Sequence, residues 1–122
     1  MSEWKFRGWD ATGQKGWVYG DLTHGKKILK DEPFLENRVM VGGYEVVPES
    51  VGLWTGLKDR NGKEIFEGDW VLLEGVGVFN VRYSTSMCQF GLYGERGFVD
   101  ALKELQADRY EIVGNMMSGH KL

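Results

Sequence analysis

Asp59, Asn61, Glu64, Glu67 and Asp69 place five oxygen-bearing side chains in one short window, and the run Asp59-Arg60-Asn61-Gly62 invites comparison with a calcium-binding loop. The comparison fails on register. With Asn61 and Gly62 at the fifth and sixth loop positions, Leu57 falls at the first and Gly68 at the twelfth, where carboxylates are required. These residues read instead as turn chemistry on a solvated, charged hairpin. No metal or other cofactor is expected.

Nucleophilic chemistry is no better supplied. Cys88 and Ser86 lie in the polar stretch STSMCQ, while the histidines, His24 and His120, are far apart in the chain. A hydrolase built on Cys88 needs a base and an orienting group beside the thiol, and no spacing here announces them, so this is the least favoured reading. One cysteine and two histidines without ligand spacing make an equally poor zinc site.

Binding is the remaining chemistry. Trp4, Trp9, Trp17, Tyr19 and Trp54, together with Lys5, Arg7, Lys58, Arg60 and Lys63, are the ingredients of a surface that stacks nucleobases beside a positive groove. Against that, a β domain of this size needs most of its rings for a core, and Lys and Arg ordinarily solvate hairpin tips. Exposed strand edges and unburied rings would equally serve a protein partner or a second copy of the chain.

The elements that must position these residues are read from composition and period. The chain has 122 residues, 42% hydrophobic and 27% charged, which suits one compact domain spanning 1–122 around a single core. Eighteen glycines against two prolines disfavour long helices and favour many turns. A lone cysteine fits a reducing compartment, and no apolar run is long enough to span a membrane, so a soluble protein of the bacterial cytoplasm is expected. Net charge of −3 runs opposite to the basic footprint of a nonspecific phosphate binder.

Period-two alternation over Trp4–Trp9 and again from Trp17 predicts a first hairpin closed by DATGQKG. A short strand is expected at KKILK, and RVMV and YEVV flank the Gly42–Gly43 spacer of a second hairpin, whose last strand ends before Pro48. Asn61–Gly62 is the clearest tight turn, Glu67–Asp69 a second, and WVLLE and VGVFNVRY the clearest strands, with Phe79, Val81 and Tyr83 sharing a face. Phe98, Leu102 and Leu105, at i, i+4 and i+7, predict one short amphipathic helix over 98–107. RYEIVGNMM reads as a last strand that packs Tyr110 and Ile112, ahead of a frayed SGHKL tail. The predicted fold is mainly β: a small, Gly-rich, hairpin-built barrel or coiled antiparallel sheet with that one helix.

Three segments also carry a family resemblance. TGLKDRNGKEIFEGDWV (Thr55–Val71) is similar to the hallmark stretch of the YopX family, EIVGN (Glu111–Asn115) resembles its C-terminal signature, and WKFRGWD (Trp4–Asp10) resembles its opening. The resemblance implies a β-rich intracellular protein encoded by bacteriophages or prophages, with no established enzymatic activity and no catalytic residues to carry over. The tail MMSGHKL departs from the acidic, proline-containing end that often follows in the family, so a role tied to that end does not carry over.

These readings favour a noncatalytic accessory protein that binds a macromolecule, with a protein partner or a homo-oligomer ahead of nucleic acid and with no membrane partner. Lys58, Arg60 and Lys63 at the hairpin tip, with Trp54 and Trp9, are the candidate contact residues.

Overall fold

Asn61 and Gly62 lie in the turn between Lys58 and Glu64, and Gly62 adopts the positive φ of 81° that makes glycine the residue of choice there. Around such turns the computed structural model arranges twelve strands, describing residues 4–28 and 35–117, with side chains described outside 26–28 and 35–37. They are β1 (Phe6–Trp9), β2 (Trp17–Gly20), β3 (Leu22–Ile28), β4 (Leu35–Val41), β5 (Tyr44–Glu45), β6 (Gly52–Lys58), β7 (Glu64–Phe66), β8 (Trp70–Leu73), β9 (Gly77–Ser84), β10 (Gln89–Gly94), β11 (Gly97–Ala101) and β12 (Tyr110–Gly114). All pairings among them are antiparallel. The end of the expected KKILK strand and the SGHKL tail with His120 lie outside the described residues.

Chain contacts divide at Leu53/Trp54 into two compact units. Strand β6 straddles the division: Gly52 and Leu53 pair with Arg7 and Phe6 of β1, whereas Trp54 and Lys58 pair with Phe66 and Glu64 of β7. Among the described residues the buried apolar side chains form two clusters. In the N-terminal unit Val18, Val41 and Val46 are buried, with Phe6, Leu22, Val39 and Val51 packed around them. In the C-terminal unit Ile65, Val71, Leu73, Val81, Leu92 and Tyr110 form the larger cluster. Short strands bury one face each, so each set of hairpins closes over its own cluster.

The N-terminal unit packs tightly at two glycines. A Cβ on Gly8 would come within 2.8 Å of Val46, and Gly42, at φ 59°, sits under the Tyr19 carbonyl. Pro48–Ser50 form one 3-10 turn, entered from an extended Val47 as the following proline dictates. The buried Ser50 hydroxyl donates to the Val47 carbonyl at 2.6 Å and accepts the Trp9 N–H at 2.7 Å, which fixes the end of β1.

The C-terminal unit is built on a five-stranded sheet in the order β11-β10-β9-β8-β12. No sheet among the described residues closes on itself, so the barrel expectation gives way to open sheets. Closure requires the two edge strands to meet. Here the outer edge of β12 is taken otherwise: the Arg60 N–H donates to the Tyr110 carbonyl at 2.9 Å and the Ile112 N–H donates to the Asp59 carboxylate at 3.0 Å.

The helix expected over 98–107 is also corrected. Gly97–Ala101 is strand β11, and Glu104–Arg109 is a 3-10 turn with Leu105 95% exposed. Pairing outweighs the helical stripe. Phe98 lies over Gly91, where a Cβ would collide with the ring, and meets Tyr93 edge-on at 5.5 Å, while the Leu102 N–H donates to the Phe90 carbonyl. Tyr110 is fully buried and its hydroxyl accepts the Lys103 N–H at 3.0 Å; burial pushes its ionisation above the ordinary tyrosine value.

Candidate functional site

Alternation along a two-stranded hairpin sorts its side chains onto two faces, and the β1–β2 register pairs Arg7 with Tyr19, Gly8 with Val18 and Trp9 with Trp17. Phe6, Gly8 and Val18 therefore face the valine cluster, and Arg7, Trp9, Trp17 and Tyr19 occupy the opposite face. The Trp9 and Trp17 rings meet edge-to-face at 5.4 Å and 88°, the arrangement their quadrupoles favour. The Arg7 guanidinium lies 4.1 Å from the centre of the Trp17 ring. Arg7 is buried, Trp9 and Trp17 half-buried, and Tyr19 exposed.

The loop that joins these strands is held from within. The Asp10 carboxylate accepts the Thr12 hydroxyl at 2.8 Å, the Lys15 N–H at 3.1 Å and the Thr12 N–H at 3.2 Å, an Asx-type turn extended by two more donors. The Thr12 hydroxyl, joined by the two N–H groups, holds the Asp10 carboxyl below its ordinary value of 3.8. Gly16, at φ 70°, returns the chain to β2 beneath the Trp9 ring. The ordered loop aims Lys15 at Tyr44 of β5, with the ammonium 4.9 Å from the ring centre. A row of rings and cations thus runs from Tyr19 and Arg7 through Trp17 and Trp9, and Lys15 and Tyr44 flank its loop end.

The five candidate contact residues divide between the units. Trp9 belongs to the N-terminal unit, and Trp54, Lys58, Arg60 and Lys63 to the C-terminal one. Lys58 and Lys63 are exposed at the turn end of the β6–β7 hairpin, and Trp54 is half-buried opposite Phe66. Arg60 is engaged within the protein, donating to Glu111 and lying 4.0 Å from Glu74. Asp59 is a turn device: one oxygen accepts the Asn61 and Lys63 N–H groups, each at 2.9 Å, and the other accepts Ile112. Cys88 sits exposed on the β9–β10 turn at φ 52°, its thiol 3.5 Å from the Thr85 carbonyl, and His24 is exposed on β3.

Sequence reading named Arg7, Trp17 and Tyr19 as ingredients but missed Lys15 and Tyr44. The Asp-x-Thr start of the loop was the available signal for Lys15, because an Asx turn fixes where the following residues point. Tyr44 carried none, since its place beside Lys15 depends on the Asp10–Val46 bridge and on the Ala11 N–H that donates to the Glu45 carbonyl.

The YopX protein family model matches residues 5–122, and the chain belongs to that family. Among solved structures, the crystal structure of protein EF1440 from Enterococcus faecalis is similar over 95% of this chain and 94% of that one, with a TM-score of 0.54 and 24% identity, a likeness of fold. No curated protein matches.

Proposed function

We propose that this YopX-family chain is a phage- or prophage-encoded accessory protein that acts without catalysis, by binding another protein through the outer face of its β1–β2 hairpin. The observation that carries the reading is the preassembled Arg7–Trp17–Trp9 stack, continued by the exposed Tyr19 on the same face. Trp and Tyr are enriched at the energetic centres of protein interfaces because each buries a large area at little rotamer cost, and the buried Arg7 guanidinium braces the Trp17 ring. Held by its neighbours before any partner arrives, this set loses little further freedom on binding.

Single-stranded nucleic acid is the second reading, favoured by the exposure of Trp4 at 70% and Tyr19 at 51%. A protein partner ranks ahead of it because Arg7 is buried and cannot reach a phosphate, and because the chain is net acidic.

The test is affinity capture from bacterial host lysate with and without nuclease, comparing wild type with Tyr19→Ala and Trp9→Ala. The reading expects defined proteins that survive nuclease and are lost with either variant. Capture that nuclease abolishes, together with single-strand binding that weakens steeply with salt, gives the site to nucleic acid. Capture that neither variant alters removes the hairpin face from the account.

A further inference from the structure

A second feature lies in the C-terminal unit, at the end of the five-stranded sheet where the β8–β9 and β10–β11 turns stand. A shallow, open cleft of about 430 Å³ is floored there by Phe79. Its cause is the absence of two side chains. Gly77 precedes Phe79 by two residues on the same face, and Gly94 follows the Tyr93–Asn80 pair, which sets it beside Phe79. A Cβ would stand 3.7 Å from the ring at Gly77 and 3.8 Å at Gly94. The core face of the sheet therefore runs out in a half-buried aromatic ring that packs on the core cluster and lines the cleft.

What surrounds the ring is protruding and apolar, with opposite charges adjoining. Val76 is 59% exposed on the β8–β9 turn and Val99 52% exposed on β11. Glu95 and Arg96 are neighbours on the β10–β11 turn, both exposed, and neither makes a hydrogen bond or ion pair among the described residues. A patch with a cavity, a protruding valine, one anion and one cation is complementary to itself under a two-fold rotation.

We propose that this cleft is a homotypic contact, occupied by a second copy of the same chain. Val76 of each copy seats over Phe79 of the other, and Glu95 faces the partner's Arg96 in both directions. The local charge balance selects a copy over a partner of one sign, since the adjacent acid and base repel and attract a singly charged surface about equally. The contact runs through side chains and not through extension of the sheet. Strand β11 is bulged at Val99, where Leu92 pairs with Asp100 but Tyr93 with Phe98, and a bulge takes an edge out of register with an added strand. The patch is small, so the dimer is weak, with Kd of about 100 μM, as expected below the usual interface size. It is independent of the hairpin face.

Sedimentation equilibrium of the full chain from about 10 μM to about 1 mM, a range that brackets this Kd, tests it. Wild type is expected to dimerise with concentration. Val76→Asp abolishes this, and Arg96→Glu and Glu95→Arg each weaken it at least about tenfold, the cost of one repulsive pair at each of two symmetric sites. The double swap Glu95→Arg with Arg96→Glu restores it, because the opposite charges again face one another, and the two single variants mixed form a heterodimer. All three sites are exposed turn positions, and amide shifts on dilution at Val76, Glu95, Arg96 and Val99 report the contact in the unmodified chain. A monomer throughout the range, association that survives Val76→Asp, or charge reversals without effect overturns the proposal.

Discussion

Replacing Asp59 by Ala removes a carboxylate that three backbone donors share: Asn61 and Lys63 at the hairpin tip, and Ile112, fifty-three residues along the chain. The consequences differ by site. Asn61 and Lys63 are exposed, so water replaces the lost acceptor and each bond costs roughly 0.5–1 kcal/mol. The Ile112 N–H is half-buried and has no such substitute, which costs roughly 1–3 kcal/mol. The sum is about 3 kcal/mol, a fall of about 2 M in the urea midpoint for a slope of about 1.5 kcal/mol/M. Tryptophan fluorescence follows the unfolding, and hydrogen exchange at Ile112 reports the local release. Asp59→Asn separates acceptor from bulk, since its one amide oxygen can keep the Asn61 and Lys63 bonds while its NH2 faces the Ile112 donor, so it is expected to recover the tip bonds but not the Ile112 share. A loss below about 1 kcal/mol, less than the smallest sum these bonds allow, or full recovery by Asn, refutes the view that Asp59 ties the hairpin to β12.

The two adjacent glycines of the β4–β5 turn are expected to differ. Gly42→Ala meets the Tyr19 carbonyl and lowers thermal stability by more than about 2 kcal/mol, whereas Gly43→Ala, with open space around it, costs about 1 kcal/mol of backbone strain. In the Asp10 loop the folded carboxyl is held low, so its stabilisation is present above the ordinary value of 3.8 and is lost as pH falls through the folded value. The loop therefore stays closed from neutrality to about pH 4 and loosens below it, and Thr12→Val raises the Asp10 value in an NMR titration. Cys88→Gly relieves a left-handed backbone at φ 52° and leaves thermal stability equal or up to about 1 kcal/mol higher, while Cys88→Ala changes it little. A large loss in either thermal scan contradicts a purely surface role for the thiol.

Much of the local structure was legible in the sequence because it depends on near neighbours. The Asn61–Gly62 and Glu67–Asp69 turns, the first hairpin from Phe6 to Gly20, and the shared face of Phe79, Val81 and Tyr83 all follow from backbone preferences and a period of two. So does family membership, which rests on the residues themselves.

Tertiary structure decided what depends on distant partners. The stripe Phe98, Leu102, Leu105 satisfies a helix in isolation, and strand β10, with Gly91 making room for Phe98, turns its start into β11. Asp59 looked like a solvated charge until Ile112 arrived from β12 to donate to it. Among the described residues the buried apolar side chains form two clusters, and β6 changes partner at Leu53/Trp54, a switch no composition marks. The hairpin face and the Phe79 cleft belong to this second class. Which rings stay uncovered is set by strand register, and register is fixed by burial across strands that the sequence holds far apart.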